Sequence, residues 1–235
     1  GWLYFMASPD IPTERFLYRT RLDGKGKAER ISPSNEPGSH SYQVSPTAQW
    51  AIHSFSTLDN PPTTDLVRLP SHQTARVLAS NDSLRTKIRA LRRSPVQYFT
   101  VDIGDGFRVD GWCIKPPDFD STRQYPLFIY VYGEPASQTV QNRWGGSNYL
   151  WHLMLAQHGY IVASVDNHGT PAPRGRAWRK SIYRQIGVLA SADQAAATRA
   201  LIKQWKYIDT SRIGIWGWSG GGSMTLGAMF RYPDL

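Results

Sequence analysis

A serine lies among closely spaced glycines at residues 216–222, which read WGWSGGG. A serine hydroxyl is a weak nucleophile, so an enzyme that uses one must expose it beside a base, and a sharp turn from a strand into a helix exposes it. Two stretches of backbone approach closely in such a turn, which favours glycine two positions before and after the serine. Gly217 and Gly221 have this spacing, so the segment predicts a nucleophile elbow with Ser219 as the nucleophile.

The residues on both sides of Ser219 have the periodicity that an elbow requires. Residues 212–216 predict a short buried strand, and residues 223–232 predict a helix with an apolar face. The start of that helix would direct free backbone N–H groups and the positive end of its dipole toward an anion beside Ser219. The amide of Gly220 is therefore the predicted first oxyanion donor. A flexible glycine loop is the alternative, which the flanking pattern disfavours.

Tyr132 ends an unbroken apolar run that begins at residue 127 and predicts a central strand covered on both faces. In an α/β-hydrolase sheet the loop after this strand supplies the second oxyanion donor, and a tyrosine hydroxyl can fill that role. An ordinary aromatic residue at a strand end fits the position equally well. Position alone leaves both interpretations open.

The chain does not offer an obvious catalytic base. His168 lies in a polar loop, but in this fold the order is serine, acid and then histidine, and His168 precedes Ser219. Other orders exist on other folds, which keeps His168 as a minor alternative. After Ser219 come a single carboxylate, Asp234, and no histidine, so we expect the chain alone to be nearly inert. The remaining histidines lack metal-ligand spacing and are predicted surface or packing residues: His40, His53, His72, His152 and His158.

Composition excludes several classes of protein. The 235 residues carry a net charge of +9, but the basic residues are scattered and no nucleic-acid-binding motif is present, so nucleic acid is not an expected partner. Cys113 is the only cysteine, which excludes a disulfide within the chain. No run of about 18 apolar residues indicates a membrane span, and no signal-peptide pattern is present. The chain begins inside a strand-like run and ends just after a predicted helix, so we expect a segment of a longer protein.

Two domains are predicted, 1–93 and 94–235. Short strands separated by turns fill the first, as in a meander, sandwich or propeller blade, and we place them at 3–7, 15–21, 28–31, 50–54, 65–69 and 75–78. A short helix with capping side chains at Asn81 to Ser83 leads to the boundary. Beyond it, a hairpin and further strands alternate with helices at 149–157, 174–184 and 191–205, which predicts an α/β domain with a mainly parallel sheet covered by helices.

Four segments together resemble the dipeptidyl peptidase IV group of the prolyl oligopeptidase family. They are YVYGEPASQ at 130–138, VDNHGT at 165–170, ADQ at 192–194 and IGIWGWSGG at 213–221. The resemblance implies the end of an antiparallel β-propeller followed by the first half of an α/β-hydrolase catalytic domain. It places the family's catalytic Asp and His beyond Leu235, and its paired substrate-binding glutamates before Gly1.

The resemblance also implies an activity. It is that of a serine exopeptidase that releases N-terminal dipeptides, commonly after Pro or Ala, from substrates with a free N-terminus, without a metal or organic cofactor. Ser219 is similar to the nucleophile, the Tyr132 hydroxyl and the Gly220 amide to the oxyanion donors, and Trp218 to a packing residue of the elbow. The resemblance leans towards a secreted, periplasmic or membrane-anchored protein and allows a homodimer of the full-length protein, but the sequence leaves the compartment and the oligomeric state open.

Two residues depart from the family pattern. Gly220 stands where many members have a tyrosine that lines the pocket for the penultimate substrate residue, which implies a wider pocket and leaves proline preference open. Glu134 stands where relatives often have glycine. The alternatives are another acyl hydrolase of this fold, such as an oligopeptidase, acylaminoacyl peptidase or esterase, and a non-catalytic protein-binding module.

Overall fold

Antiparallel strands make up the first part of the chain. The computed structural model describes all 235 residues and divides into two compact units, one of residues 1–91 with 141–149 and one of 92–140 with 150–235. In the first unit, β1 to β3 form one sheet and β4 to β7 form a second, four-stranded meander of the kind found in propeller blades. The strands are β1 (Trp2–Ala7), β2 (Phe16–Arg21), β3 (Glu29–Arg30), β4 (Ser39–Val44), β5 (Trp50–Thr57), β6 (Asn60–Arg68) and β7 (Gln73–Ala79).

Two strands differ from the sequence prediction: β4 is not predicted at all, and β6 is longer than the strand predicted at 65–69. The inward-facing positions of β4 include His40 and Tyr42, so the strand lacks the alternation of apolar and polar residues that predicts a half-buried strand. The sequence predicts a turn between the strands at 50–54 and 65–69, but Pro61 and Pro62 within it belong to β6. They are tolerated there because β7 pairs with β6 only from Thr64 onward, so no ladder partner on that side needs their N–H groups.

Helix α1 (Asp82–Ala90) occurs where the sequence predicts one, but its start differs from the expectation. Asn81 adopts a left-handed conformation at φ 54° and makes no side-chain cap. Its side chain instead donates to the carbonyl of Pro62 at 2.8 Å. The predicted capping role of Asn81 is therefore wrong, because a tertiary hydrogen bond replaces the local one.

The second unit contains a five-stranded mixed sheet in the order β12-β10-β11-β9-β8. Strands β10, β11 and the edge strand β12 are parallel to one another. Strands β8 and β9 form an antiparallel hairpin, and β9 pairs antiparallel with β11. The strands are β8 (Gln97–Asp102), β9 (Arg108–Ile114), β10 (Tyr125–Tyr130), β11 (Ile161–Val165) and β12 (Ile208–Trp216). All five residues of β11 are buried, as expected for a strand covered on both faces.

Four further helices follow the sequence prediction in order, with longer or shorter bounds. They are α2 (Gly146–Gln157), α3 (Gly175–Lys180), α4 (Leu189–Gln204) and α5 (Gly220–Arg231). The basic stretch predicted as one helix at 174–184 forms only the short α3, after which the chain continues in turns. Alanines of α4 lie against the sheet, where Ala197 and Leu201 are fully buried with Ile129 and Val165. No helix is both long and apolar enough to cross a bilayer.

One face of this sheet carries an aromatic cluster around a buried histidine, His152 of α2. Its ring lies 5.0 to 5.5 Å from the rings of Trp112, Tyr130, Trp151 and Trp216. The side chain is 2% exposed, and its Nε2 atom has no hydrogen-bond partner. Burial alone lowers the pKa of His152 to about 3, because a charged imidazole would lose its hydration there.

This burial predicts a pH-dependent stability. Because the folded-state pKa of His152 lies below that of an unfolded histidine, the folded state is favoured by a neutral ring above about pH 6.5 and loses that advantage as the pH falls toward the folded pKa. We expect His152→Phe to reduce the loss of unfolding free energy between pH 6.5 and pH 4.5 by about 2 kcal/mol. Urea unfolding followed by tryptophan fluorescence measures this difference. An equal loss in wild type and variant would contradict it, and His158→Gln, at an exposed histidine, is the control.

Candidate functional site

The predicted elbow joins the end of β12 to the start of α5. Ser219 lies between Trp216, the last residue of the strand, and Gly220, the first residue of the helix. Its backbone is at φ 56° and ψ −119°, a strained conformation for a residue with a side chain, and the residue is exposed. Helix α5 begins three residues earlier than the sequence predicts, so the helix start lies directly beside the serine. The strand, turn and helix follow in the order that presents a nucleophile.

Two glycines allow the elbow to form, because both approach the backbone at the end of β10. A Cβ atom on Gly217 would overlap the carbonyl oxygen of Val131, and so would a Cβ atom on Gly221. The amide of Val131 in turn donates to the carbonyl of Trp216 at 3.0 Å, which continues the parallel pairing of β10 and β12 up to the elbow. The spacing of the glycines therefore reflects direct backbone contact between the two strand ends.

The helix start leaves one amide free beside Ser219. The N–H of Gly221 donates to the carbonyl of Trp218 and that of Gly222 to the carbonyl of Ser219, both at 2.9 Å. The N–H of Gly220 has no backbone acceptor. As the first residue of a 12-residue helix, it lies at the positive end of the helix dipole. The arrangement can therefore offer a hydrogen-bond donor to negative charge that forms next to Ser219.

Tyr132 follows β10 and begins the loop that passes the elbow. The residue is half-buried, and its hydroxyl has no hydrogen-bond partner within the protein. The next residue, Gly133, has φ +80°, and a Cβ atom there would lie 2.5 Å from Cγ of Met224 on α5. The loop is therefore packed against the same helix that follows Ser219, and a free phenol is available in it.

Buried polar side chains hold this loop to the end of β11. The side-chain amide of Asn167 donates to the carbonyl of Gly133 at 2.9 Å. Asp166 accepts hydrogen bonds from the N–H groups of Thr139 at 3.1 Å and Val140 at 3.3 Å. Burial raises the pKa of Asp166 to about 6, against the opposing effect of these hydrogen bonds. In the sequence, Asp166 and Asn167 stand out only as part of a segment that resembles a known family. No local pattern predicts that they position the loop after β10.

His168 makes no hydrogen bond with Ser219, the predicted nucleophile. Its Nδ1 atom lies 2.7 Å from Oδ2 of Asp193, and its backbone N–H donates to the same oxygen at 2.8 Å. The ring contacts those of Phe107 and Trp178 and is largely buried. Burial raises the pKa of Asp193, whereas its hydrogen bonds with His168 act in the opposite direction. The imidazole therefore anchors the loop after β11 to α4.

None of the other histidines makes a hydrogen bond with Ser219, and no cluster of three or more His, Cys, Asp or Glu side chains could hold a metal ion. His40 and His53 are buried within β4 and β5, where their rings are joined at 2.9 Å and His53 also contacts Asp65. His158 is exposed, and its Nδ1 atom bonds the carbonyl of Met154.

Two further side chains lie at the elbow. Trp218 is 84% exposed at the tip of the turn, so residues 1–235 do not enclose the indole, and its packing role stays a prediction for the full-length protein. Glu134 directs its carboxylate onto Gly220, where a Cβ atom would lie 2.5 Å from Cδ of the glutamate. No sequence pattern predicts this contact, because it depends on how the loop after β10 passes the elbow.

The close contact of Gly217 with the Val131 carbonyl predicts that a side chain at position 217 is destabilising. Gly217→Ala places a methyl group against a backbone oxygen that cannot rotate away, so we expect a loss of about 3 kcal/mol or more of stability. Gly222→Ala has 3.6 Å to its nearest neighbour and lies in α5, where alanine is favoured over glycine by about 1 kcal/mol. Thermal unfolding of both variants measures the contrast. Similar midpoints for the two would refute the proposed contact.

Comparison with known proteins matches both parts of the chain. The model of the prolyl oligopeptidase family matches residues 148–235, and the model of the dipeptidyl peptidase IV N-terminal region matches residues 1–62. The Emericella nidulans protein named "Probable dipeptidyl-aminopeptidase B" is 36% identical over 231 residues, which are 96% of this chain and 24% of that protein. Dipeptidyl peptidase 8 of Mus musculus is 30% identical over 99% of this chain and 26% of its own length.

A solved structure gives the same result. The crystal structure of Porphyromonas gingivalis dipeptidyl peptidase 4 superimposes with a TM-score of 0.89 at 35% identity, over 98% of this chain and 32% of that one. The predicted fold class is thereby confirmed, with propeller-like antiparallel sheets preceding a partial α/β-hydrolase sheet. The chain spans about a quarter of the length of the curated relatives it matches. By its sequence in both units and by its fold, the chain belongs to the dipeptidyl peptidase IV group of the prolyl oligopeptidase family.

Proposed function

We propose that the full-length protein is a serine exopeptidase that releases N-terminal dipeptides through an acyl-enzyme on Ser219. The observation that carries this proposal is the strained, exposed serine at φ 56° beside the unbonded amide of Gly220. A strained backbone at an exposed polar residue persists where function needs it. The names of the relatives, which are dipeptidyl peptidases and dipeptidyl-aminopeptidases, support a peptide substrate with a free N-terminus.

The proposed reaction uses three groups of this chain. The hydroxyl oxygen of Ser219 attacks the carbonyl carbon of the second substrate residue, and its proton passes to a base. The carbonyl oxygen becomes an oxyanion, which accepts hydrogen bonds from the Gly220 amide and the Tyr132 hydroxyl. The C–N bond then breaks, the departing amine takes the proton, and a water molecule later hydrolyses the ester by the same route.

We assign the base and its partner acid to residues of the full-length protein outside this chain. His168 makes no hydrogen bond with Ser219, and it precedes the serine in the chain, whereas in this fold the histidine follows it. In the same scheme, residues 1–93 are the end of the propeller domain, and residues 94–235 are the first half of the catalytic domain. Within the second range, residues 141–149 belong to the propeller-like unit, where the N–H of Asn142 donates to the carbonyl of Thr13 at 2.7 Å.

The role of Ser219 is tested by covalent labelling. In the full-length protein, Ser219→Ala should abolish labelling by a fluorophosphonate and lower the hydrolysis of dipeptidyl chromogenic substrates by at least about 10⁴-fold, because the attacking oxygen is removed. Mass spectrometry of the labelled peptide identifies the modified residue. Ser223→Ala, at an exposed serine one turn along α5, should label like the wild type. Persistent labelling of Ser219→Ala would contradict the assignment.

The role of Tyr132 predicts a smaller effect on the chemical step. Removal of one oxyanion donor typically lowers kcat by about 10² to 10³. Tyr132→Phe removes only the hydroxyl, which has no partner within the protein, so stability should not change. Steady-state kinetics on the full-length protein should show a lower kcat with little change in KM. An unchanged kcat would exclude the phenol as a donor.

A further inference from the structure

The carboxylate of Glu134 occupies the space beside the proposed nucleophile that a side chain at position 220 would fill. A Cβ atom on Gly220 would lie 2.5 Å from Cδ, 2.6 Å from Oε2 and 2.9 Å from Oε1 of Glu134. Both carboxylate oxygens thus lie against the residue that directly follows Ser219. The absence of a side chain at Gly220 is what makes room for the acid.

This carboxylate has no partner, unlike three other acids of the same unit. Glu134 makes no ion pair and no side-chain hydrogen bond within the protein. By contrast, Asp110 is paired with Arg174, Asp193 with His168, and Asp166 with backbone amides. Arg179 contacts the residue after Glu134, where it donates to the carbonyl of Pro135 at 3.4 Å, but it makes no ion pair with the carboxylate. In a chain with a net charge of +9, a half-buried acid left unpaired at this position is conspicuous.

An unpaired negative charge at this place works against the proposed chemistry. The amide of Gly220 would stabilise an oxyanion, whereas an adjacent carboxylate repels it. A cation bound between the two would remove the repulsion, and no residue of this chain supplies one. In the acyl-enzyme the acyl carbon is bonded to Ser219, so the side chain of the acylating residue lies within a few bonds of Gly220 and can reach Glu134.

We propose that Glu134 is a specificity-determining residue, which with Gly220 forms an anionic subsite for a Lys or Arg side chain on the acyl side of the cleaved bond. The inference rests on the proposed function and adds the substrate class to it. The cationic side chain would bind the carboxylate and neutralise it while the oxyanion forms, so its effect should appear in kcat/KM. With a neutral residue at that position, the Glu134 carboxylate would still repel the oxyanion, and cleavage would be slower.

The test compares two substrates of equal length in the full-length protein. Ala-Lys and Ala-norleucine p-nitroanilides differ in the ammonium group. We expect wild type to prefer the lysine substrate about tenfold in kcat/KM, as one charge-assisted contact allows, and added salt to reduce that preference. Glu134→Gln should bring the ratio close to one while hydrolysis of the norleucine substrate stays equal or rises. Asp118→Asn, at an exposed acid of the same unit, should leave the ratio unchanged.

Covalent inactivation measures the preference for a cationic side chain without substrate turnover. Inactivation rates by diphenyl phosphonates with lysine-like and norleucine-like side chains depend only on Ser219 and its surroundings. A charge preference that Glu134→Gln removes supports the subsite even if no dipeptide is released, in which case the exopeptidase proposal alone fails. A ratio that is the same in wild type and Glu134→Gln overturns the subsite. Failure of both phosphonates to label Ser219 overturns the subsite and the proposed function together.

Discussion

Contact between two backbone segments determines the geometry of this site. The carbonyl oxygen of Val131 lies against both Gly217 and Gly221, while its amide bonds the carbonyl of Trp216. No side chain can enter this contact, so the end of β10 and the elbow after β12 hold each other at a fixed distance. As a result, Ser219 and the free amide of Gly220 lie next to the loop that carries Tyr132 and Glu134. The parallel pairing of β10 with β12 supplies the rest of the alignment.

The loop after β10 is held by buried polar groups rather than by apolar packing alone. Asn167 bonds the carbonyl of Gly133, and Gln194 of α4 bonds Oδ1 of Asn167 at 3.2 Å and the carbonyl of Val165 at 3.0 Å. Burying such groups is costly unless they are hydrogen-bonded, and once bonded they favour one arrangement over others. The segment after β11 and helix α4 therefore act as a scaffold that fixes the position of Tyr132.

The sequence could predict the parts of this structure that depend on local pattern. The elbow, the central strand and the alternation of strands and helices follow from glycine spacing and apolar periodicity, and the fold class was correct. The strand β4 was missed because its inward residues include His40 and Tyr42, and β6 was shortened because its prolines lie where no neighbour needs their N–H groups. Both failures arise from tertiary context that overrides local propensity.

The candidate site was predictable only in part for the same reason. Ser219 and Gly220 belong to one short motif, but the pairing of His168 with Asp193 joins residues 25 positions apart, and the contact of Glu134 with Gly220 joins distant loops. The exposure of Trp218 could not be read from its type, since a large aromatic residue is usually at least partly buried.

A crystal structure of the full-length protein with a phosphonate covalently bound at Ser219 would show whether the Gly220 amide and the Tyr132 hydroxyl form an oxyanion site beside the serine. The phosphonyl oxygen stands in for the oxyanion. We expect this oxygen to lie within about 3 Å of both the Gly220 nitrogen and the Tyr132 hydroxyl oxygen. A phosphonyl oxygen that points to solvent, or a phosphonate attached to another residue, would contradict it.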